Sequence, residues 1–317
     1  MFQLKKFEFK ANEISGLLKM PLIGKDIIVN NVQKLGEETD NSIIMCYPKN
    51  KELLSNITKN CLVFCAEDTV IQSDNLSFIV TPNPKYTFFN FINEFLIRET
   101  TYWYENIISS CSDKYPGVVF GYNVKVGYNV IIAPKTVIGS NVLIGNNVII
   151  RSNVSIGDSC IIKDNTVVGS EGFGYMKTDE GLEHIPQLGY VSIGNNVIIG
   201  SNCTIEKPAL GKTVLKDNVK VDDLIQIGHN VEIGENTIIT TGFKAEGGVK
   251  IGSDTFIGMG VVIISSKVSI GNNCLVGAGS VITKSIPDNK MVYGTVTLNI
   301  KDVGSKRDDI LKTPYYK

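Results

Sequence analysis

Two histidines occur among the 317 residues, His184 and His229. An imidazole titrates near neutrality and can take a proton from an attacking amine, so each is a candidate general base. His229 lies in the run Leu-Ile-Gln-Ile-Gly-His-Asn, read as a short strand, two residues after Ile227, with its side chain free to point outward. Eighteen residues further on stands Gly247. A chain that coils with that period makes the two neighbours. The Gly247 N–H then faces the carbonyl of an acyl thioester held beside the imidazole, a base next to an oxyanion donor. Such a base contributes roughly 10²–10⁴ in rate and such a donor on the order of 10²–10³. Two bland readings stand beside this one: His229 as a surface histidine and Gly247 as a corner glycine. His184 reads as a loop histidine.

The period is present. From residue 119 the chain runs in sixes, VFGYNV, KVGYNV, IIAPKT, VIGSNV, LIGNNV, IIRSNV, SIGDSC, IIKDNT, VVGSEG, with an aliphatic residue or Phe in every second place. Nineteen extra residues near 173–191, four near 210–213 and one near 262–268 interrupt a total of 24 hexads. A period of six suits neither a helix nor a simple alternating strand. It suits a prism in which each hexad gives one short strand and one corner, and three hexads close an 18-residue coil. The second place points inward and stacks on its copies. Asn and Gly gather at corners, where left-handed backbone is cheap for them. Eight coils at a spacing of about 4.8 Å make a rod on the order of 40 Å long. The expected class is mainly β, a left-handed parallel β-helix with a small N-terminal α/β domain; the handedness is carried over from families with this repeat.

Residues 1–105 lack the repeat and read as that α/β domain, with strands near 26–30, 42–46, 61–65 and 77–81 and a helix near 84–97. The rod is expected over 106–290, and 291–317 reads as a polar tail with one short helix. Net charge is −1, which implies no broad basic surface and argues against nucleic acid as a partner. The opening residues lack a signal-peptide core and no run of 18 apolar residues occurs, so no membrane span and a cytoplasmic location are expected. Seven cysteines, an odd number with no CxxC, argue against a disulfide framework or a zinc site. Cys160, Cys203 and Cys274 share the last hexad place and read as small buried fillers. Two histidines cannot supply the three that a zinc-dependent carbonic anhydrase rod needs.

Several motifs carry a resemblance. EGFGY (171–175), IPQLG (185–189), the run from Asp222-Asp223 through Gln226 to His229-Asn230, and Gly247 are similar to the UDP-3-O-acylglucosamine N-acyltransferases of lipid A synthesis, the LpxD-type family of hexapeptide-repeat acyltransferases. The resemblance runs from about residue 10 to 290 and implies a homotrimer with clefts between subunits. It implies His229 as the base and the Gly247 amide as support for the thioester carbonyl. Asp222, Asp223, Gln226, Asn230, Glu246, Phe173, Gly174 and Tyr175 are then substrate-binding candidates. The donor would be acyl-CoA or acyl carrier protein, the acceptor a nucleotide-linked amino sugar, with no permanently bound cofactor and no metal. Asp222 and Asp223 are read as orienting His229 or the sugar amine, or else as solvated corner carboxylates.

The chain departs from the family in places. Glu206-Lys207-Pro208 stand where the family reads Asp-Arg-Gly, and Met259 replaces a common glycine. The front-domain uridine segment is here Met45-Cys-Tyr47-Pro48-Lys49-Asn50, with Tyr47 the available aromatic. Lys207 and Lys244 meet phosphates or are simply exposed. These departures favour a sibling enzyme that N-acylates a nucleotide-linked amino sugar for a cell-surface glycan. The alternative is the UDP-3-O-(3-hydroxyacyl)glucosamine N-acyltransferase of lipid A biosynthesis itself. A third reading is a noncatalytic sugar-binding module.

Overall fold

The computed structural model describes residues 6–96 and 114–294, and 296–299 by their backbone. The chain divides near residue 102 into two compact units, each taken by itself below. The expected boundary at 105/106 and the short helix expected in the tail lie outside the described residues.

In the second unit each hexad becomes a strand of two residues or a few more followed by a corner, and strands one coil apart pair in parallel. The first face of the prism stacks Ile131–Ile132, Ile149–Ile150, Val167–Glu171, Thr204–Lys207, Gln226–Ile227, Lys244–Ala245, Val262–Ile263 and Val281–Ile282. The second face runs from Val119–Phe120 to Ser269–Ile270 and the third from Lys125–Val126 to Leu275–Val276, with eight hexad strands on each. Register is set by burial. Ile132 pairs with Ile150, Ile205 with Ile227 and Ile227 with Ala245, so every second-place residue stacks on its like. Ile150, Ile205, Ile227 and Ile233 are fully buried. A slip of one residue would turn such side chains outward, forfeiting roughly 1.5–3 kcal/mol for each.

The corners are held by asparagine. Asn147, Asn165, Asn218 and Asn236 adopt φ of 57–62°, the left-handed region. Their amides bond from coil to coil, Asn147 to Asn165 at 3.1 Å and Asn218 to Asn236 at 2.7 Å. The last hexad place also does more than fill space. Thr166 Oγ1 donates to the Gly200 carbonyl at 2.6 Å, and the thiols of Cys160, Cys203 and Cys274 donate to the carbonyls of Gly194, Asp222 and Pro287 at 3.0–3.2 Å. Burial pushes the Cys203 thiol up to about 11, so it stays protonated and able to donate. Residues 290–299 do not begin a polar tail. Lys290–Tyr293 and Val296–Asn299 extend the third face as an antiparallel pair, with Met291 and Val292 buried against it.

The first unit is α/β. Its five-stranded sheet has the order Leu22–Ile23, Leu76–Val80, Cys61–Cys65, Ser42–Met45, Asn31–Val32, the last four mutually parallel. The expected strand at 26–30 is shorter: Ile28–Val29 leaves this sheet and pairs with Phe9–Lys10. A helix at Ala11–Leu18, absent from the sequence reading, buries Ala11 and Ile14. The later helix spans Pro84–Phe91 and continues as a π turn, Ile92–Leu96. Phe64 packs edge-on to Phe88, with ring centres 5.5 Å apart, and anchors this helix on the sheet.

Candidate active site

All three interruptions of the repeat open at the corner between the first and second faces. The long loop follows Val167–Glu171, the short one follows Thr204–Lys207, and the extra residue follows Val262–Ile263. The chain is elaborated where it leaves the first face and regular elsewhere on the rod. His229 lies at this corner. It is not on a strand, as expected from the sequence: the strand ends at Ile227, and Gly228-His229-Asn230 is the turn after it.

The half-buried imidazole is wedged between two glycines. A methyl group on Gly247 would lie 2.6 Å from Nε2 and 2.7 Å from Nδ1. One on Gly172 would lie 2.8 Å from Cδ2 and 2.9 Å from Cβ of the same histidine. Gly247 is not the corner glycine. The left-handed conformation belongs to Gly248 (φ 82°), so what demands glycine at 247 is the imidazole packed against it. Gly247 is buried, and among the described residues no hydrogen bond uses its N–H. A buried free amide donor therefore sits beside the ring.

The tautomer follows from the neighbours. The Asn230 amide nitrogen donates to the Leu210 carbonyl at 3.0 Å, which turns Oδ1 toward His229 Nδ1 at 3.1 Å. An oxygen there accepts, so in the neutral ring Nδ1 carries the proton and Nε2 keeps its lone pair. Asn230 is itself seated by its backbone N–H on Thr213 Oγ1 at 2.9 Å, and that hydroxyl donates to the Glu206 carbonyl at 2.7 Å. The four inserted residues are what let this bracket form.

Regular corners cap the amide at this place with a side chain from the following coil. Asp158 accepts from Ser140 N and Asp223 from Ser201 N, each at 2.7 Å. The His229 N–H has Gly247 there and no side chain to accept it. Glu206 reaches up from the preceding coil instead, taking His229 N on Oε2 and the Gln226 amide on Oε1, both at 3.2 Å. Glu206 and Thr213 were missed from sequence; the signal was their place at the same corner as His229.

The other expected residues scatter. Asp222 and Asp223 stand at the corner between the third and first faces. There Asp222 accepts from Thr241 N at 3.2 Å, and Asp223 lies 3.9 Å from Lys163, so neither orients His229. Gln226 is exposed, on the first face, and Glu246 is exposed next to Gly247. Phe173, Gly174 and Tyr175 belong to the long loop, whose strands Tyr175–Thr178 and Gly181–His184 form a hairpin. The exposed rings of Phe173 and Tyr175 lie 5.0 Å apart, and Tyr175 meets His184 edge-on at 5.5 Å. His184 lies 3.7 Å from Glu171. Gly174 gives room to buried Gln187, which also fills the space beside Gly172. Tyr47 is half-buried in the first unit, just before the turn Pro48–Asn50. Among the described residues no three His, Cys, Asp or Glu converge as metal ligands. Lys244 is exposed, but Lys207 is buried.

Comparison with known proteins places this arrangement. The bacterial transferase hexapeptide (six repeats) model matches residues 135–170 and 248–284, and the hexapeptide repeat of succinyl-transferase matches 190–222 and 225–265. The chain is 38% identical over 120 residues to the UDP-3-O-acylglucosamine N-acyltransferase of Albidiferax ferrireducens, covering 38% of this chain and 36% of that one. It is 49% identical over 85 residues to that of Acinetobacter baumannii, covering 27% and 24%. These matches span little more than a third of the relatives' length at most. The solved structure of LpxA from Acinetobacter baumannii shares the fold, with a TM-score of 0.50 and 23% identity over 61% of this chain and 74% of that one. The rod is built of transferase-type hexapeptide repeats, and over part of its length it is similar to the UDP-3-O-acylglucosamine N-acyltransferases (LpxD).

Proposed function

We propose that the protein is an N-acyltransferase that moves an acyl group from a thioester, carried by acyl carrier protein or CoA, to the amine of a UDP-linked glucosamine derivative. The observation that carries this reading is the His229 imidazole packed on Gly247, with Nδ1 against the Asn230 amide oxygen and the Gly247 N–H free. The relatives' printed name favours an acceptor already acylated on its 3-oxygen, and so favours the lipid A reading over the more general sibling.

The steps balance at named atoms. Nε2 of His229 takes a proton from the amine as its nitrogen attacks the thioester carbonyl. The carbonyl oxygen becomes an oxyanion and accepts from the Gly247 N–H. Collapse forms the amide and expels the thiolate, which takes the proton back from the imidazolium. Asn230 holds the ring in the tautomer that this needs, which makes it a positioning residue and not the substrate contact first expected.

A homotrimer belongs to this reading. On the third face the outward side chains Leu143, Ile161 and Ile198 form an apolar row that a second copy would cover, and Lys220 separates this row from Ile238. In this reading Phe173, just before the hairpin, and Tyr175, at its start, line a cleft between subunits, and Tyr47 offers an aromatic ring for a nucleoside. No described helix is long and apolar enough to cross a membrane, which suits a cytoplasmic enzyme using soluble thioesters. The test is thiol release from acyl-CoA and acyl carrier protein, crossed with UDP- and dTDP-amino sugars. Release that requires a UDP-glucosamine acceptor supports the proposal; no release with any pair rejects it.

A further inference from the structure

Gln187 is a buried polar side chain at the edge of the candidate site, and half of its amide is unused. It is 6% exposed. Its Nε2 donates to the Ile185 carbonyl at 2.7 Å, on the side of the amide that packs against Gly174. Two carbonyl oxygens facing each other would repel, so the orientation of the amide is set and Oε1 points the other way. That way lies His229. A methyl group on Gly172 would lie 3.0 Å from Oε1 and 2.8 Å from Cδ2 of the imidazole. Amide oxygen and ring therefore border the same space, which is too small for one methyl group. Among the described residues no hydrogen bond uses Oε1. Nor is Oε1 sealed: among these residues the Ser170 hydroxyl is the one buried side-chain oxygen or nitrogen that lacks both a partner and solvent. An amide oxygen left unpaired at such burial costs free energy that an N–H from a ligand would recover.

We infer that Gln187 Oε1 accepts the second N–H of the acceptor amine and so selects an amine over a hydroxyl as the nucleophile. An amine attacks with its lone pair and has hydrogens to spare. Nε2 of His229 takes one. Another stays on nitrogen through the reaction, becomes the N–H of the product amide, and needs an acceptor throughout. A nitrogen sits ~3 Å from each acceptor that it serves. Nε2 is one ring bond from the Cδ2 that borders the same space as Oε1, so one nitrogen can serve both. A hydroxyl offers a single hydrogen. Given to Nε2, it leaves an oxygen lone pair against Oε1, and the two repel. The free Gly247 N–H and the free Gln187 oxygen thus read opposite partners, the one a thioester oxygen and the other an amine. The inference rests on the proposed reaction for the presence of an amine; the unpaired oxygen stands without it.

Calorimetric titration of the full chain, with no thioester present, tests the contact apart from turnover. The ligands are UDP-3-O-acylglucosamine and its 2-hydroxyl counterpart, UDP-3-O-acylglucose. The wild type should bind the amine at least tenfold more tightly, because the hydroxyl leaves one acceptor unpaired. Gln187→Met fills the space and removes the oxygen, and should erase most of that preference. Gln187→Glu keeps an accepting oxygen and should keep the preference. If Gln187→Met does not fold, Gln187→Leu replaces it. A wild-type preference below tenfold overturns the assignment, as does an equal preference in wild type and Gln187→Met. Loss of the preference in Gln187→Glu as well makes Gln187 a residue of loop packing and overturns it too. Acyl transfer to the amine is then read separately. Transfer without a Gln187-dependent preference leaves the proposed reaction standing and removes this contact. A Gln187-dependent preference with no transfer from any thioester removes the reaction alone.

Discussion

Replacing Gly247 by alanine sets a methyl group 2.6 Å from Nε2 of His229, where ordinary contact begins at about 3.4 Å. The backbone at 247 is fixed by the ladder above and below, so the ring must give way by roughly 1 Å. A displacement of that size at a reacting atom costs about 10²-fold, and tilting the Gly247 amide away from the carbonyl oxygen adds to it. The expected result is a fall in kcat of about 10²–10³ with KM for the acceptor little changed. Overpacking should also remove about 1–3 kcal/mol of stability, read by urea denaturation. Gly260→Ala is the matched control. Gly260 has φ 68° and nothing within 4 Å of an added methyl group, so the change strains the backbone at a corner away from His229. It should cost about 1–2 kcal/mol and leave kcat intact. If Gly247→Ala turns over like the wild type, or if Gly260→Ala loses as much activity, the packing of the imidazole on Gly247 is not what makes this corner a site.

Other expectations follow from the same contacts. Asn230→Ala frees the tautomer and should lower kcat about tenfold at constant KM; unchanged kcat would show that Nδ1 is held by something else. Glu206→Ala leaves the His229 N–H without its acceptor and should cost about 1–3 kcal/mol in chemical denaturation, while Glu206→Gln, which can still accept one of the two bonds, should cost less. The buried thiols of Cys61 and Cys203, raised to about 11, and of Cys65, raised to about 12, stay protonated in the fold while the unfolded chain ionises near 9. Above pH 9 the unfolded state therefore holds fewer protons, and stability should fall as pH rises from about 9 to 11. Melting temperatures that stay flat across that window, or thiol reagents that label these residues in native protein at pH 8, would contradict the burial.

Much of the rod was legible because the inward aliphatic residue at the second place of each hexad leaves a period that nothing else in the chain imitates. The interruptions carried further information that the period alone did not deliver. They fall after the ninth, twelfth and twenty-first hexads, all multiples of three, which puts them at one corner. His229 lies in the fifteenth hexad and shares that corner, whereas Asp222 and Asp223 lie in the fourteenth and do not. Proximity in sequence suggested that these carboxylates serve the histidine; the prism sends them to a different edge. Glu206, more than twenty residues away, serves it instead, because the glycine required against the imidazole removes the usual cap. Gly247 and Gly248 are indistinguishable as letters, and backbone angle together with packing decides which is the corner and which the donor. In the first unit the helix Ala11–Leu18 was not legible, since in eight residues it buries two side chains and leaves a weak pattern.

The most direct measurement is the mass of the product formed when wild type and His229→Gln, each shown to be folded, meet an acyl thioester and a UDP-linked 3-O-acylglucosamine. The wild type should add one acyl group at nitrogen, and the variant should do so at least 10²-fold more slowly, the lower bound for a lost general base. Amide formation at equal rates by both proteins would contradict the role given to His229.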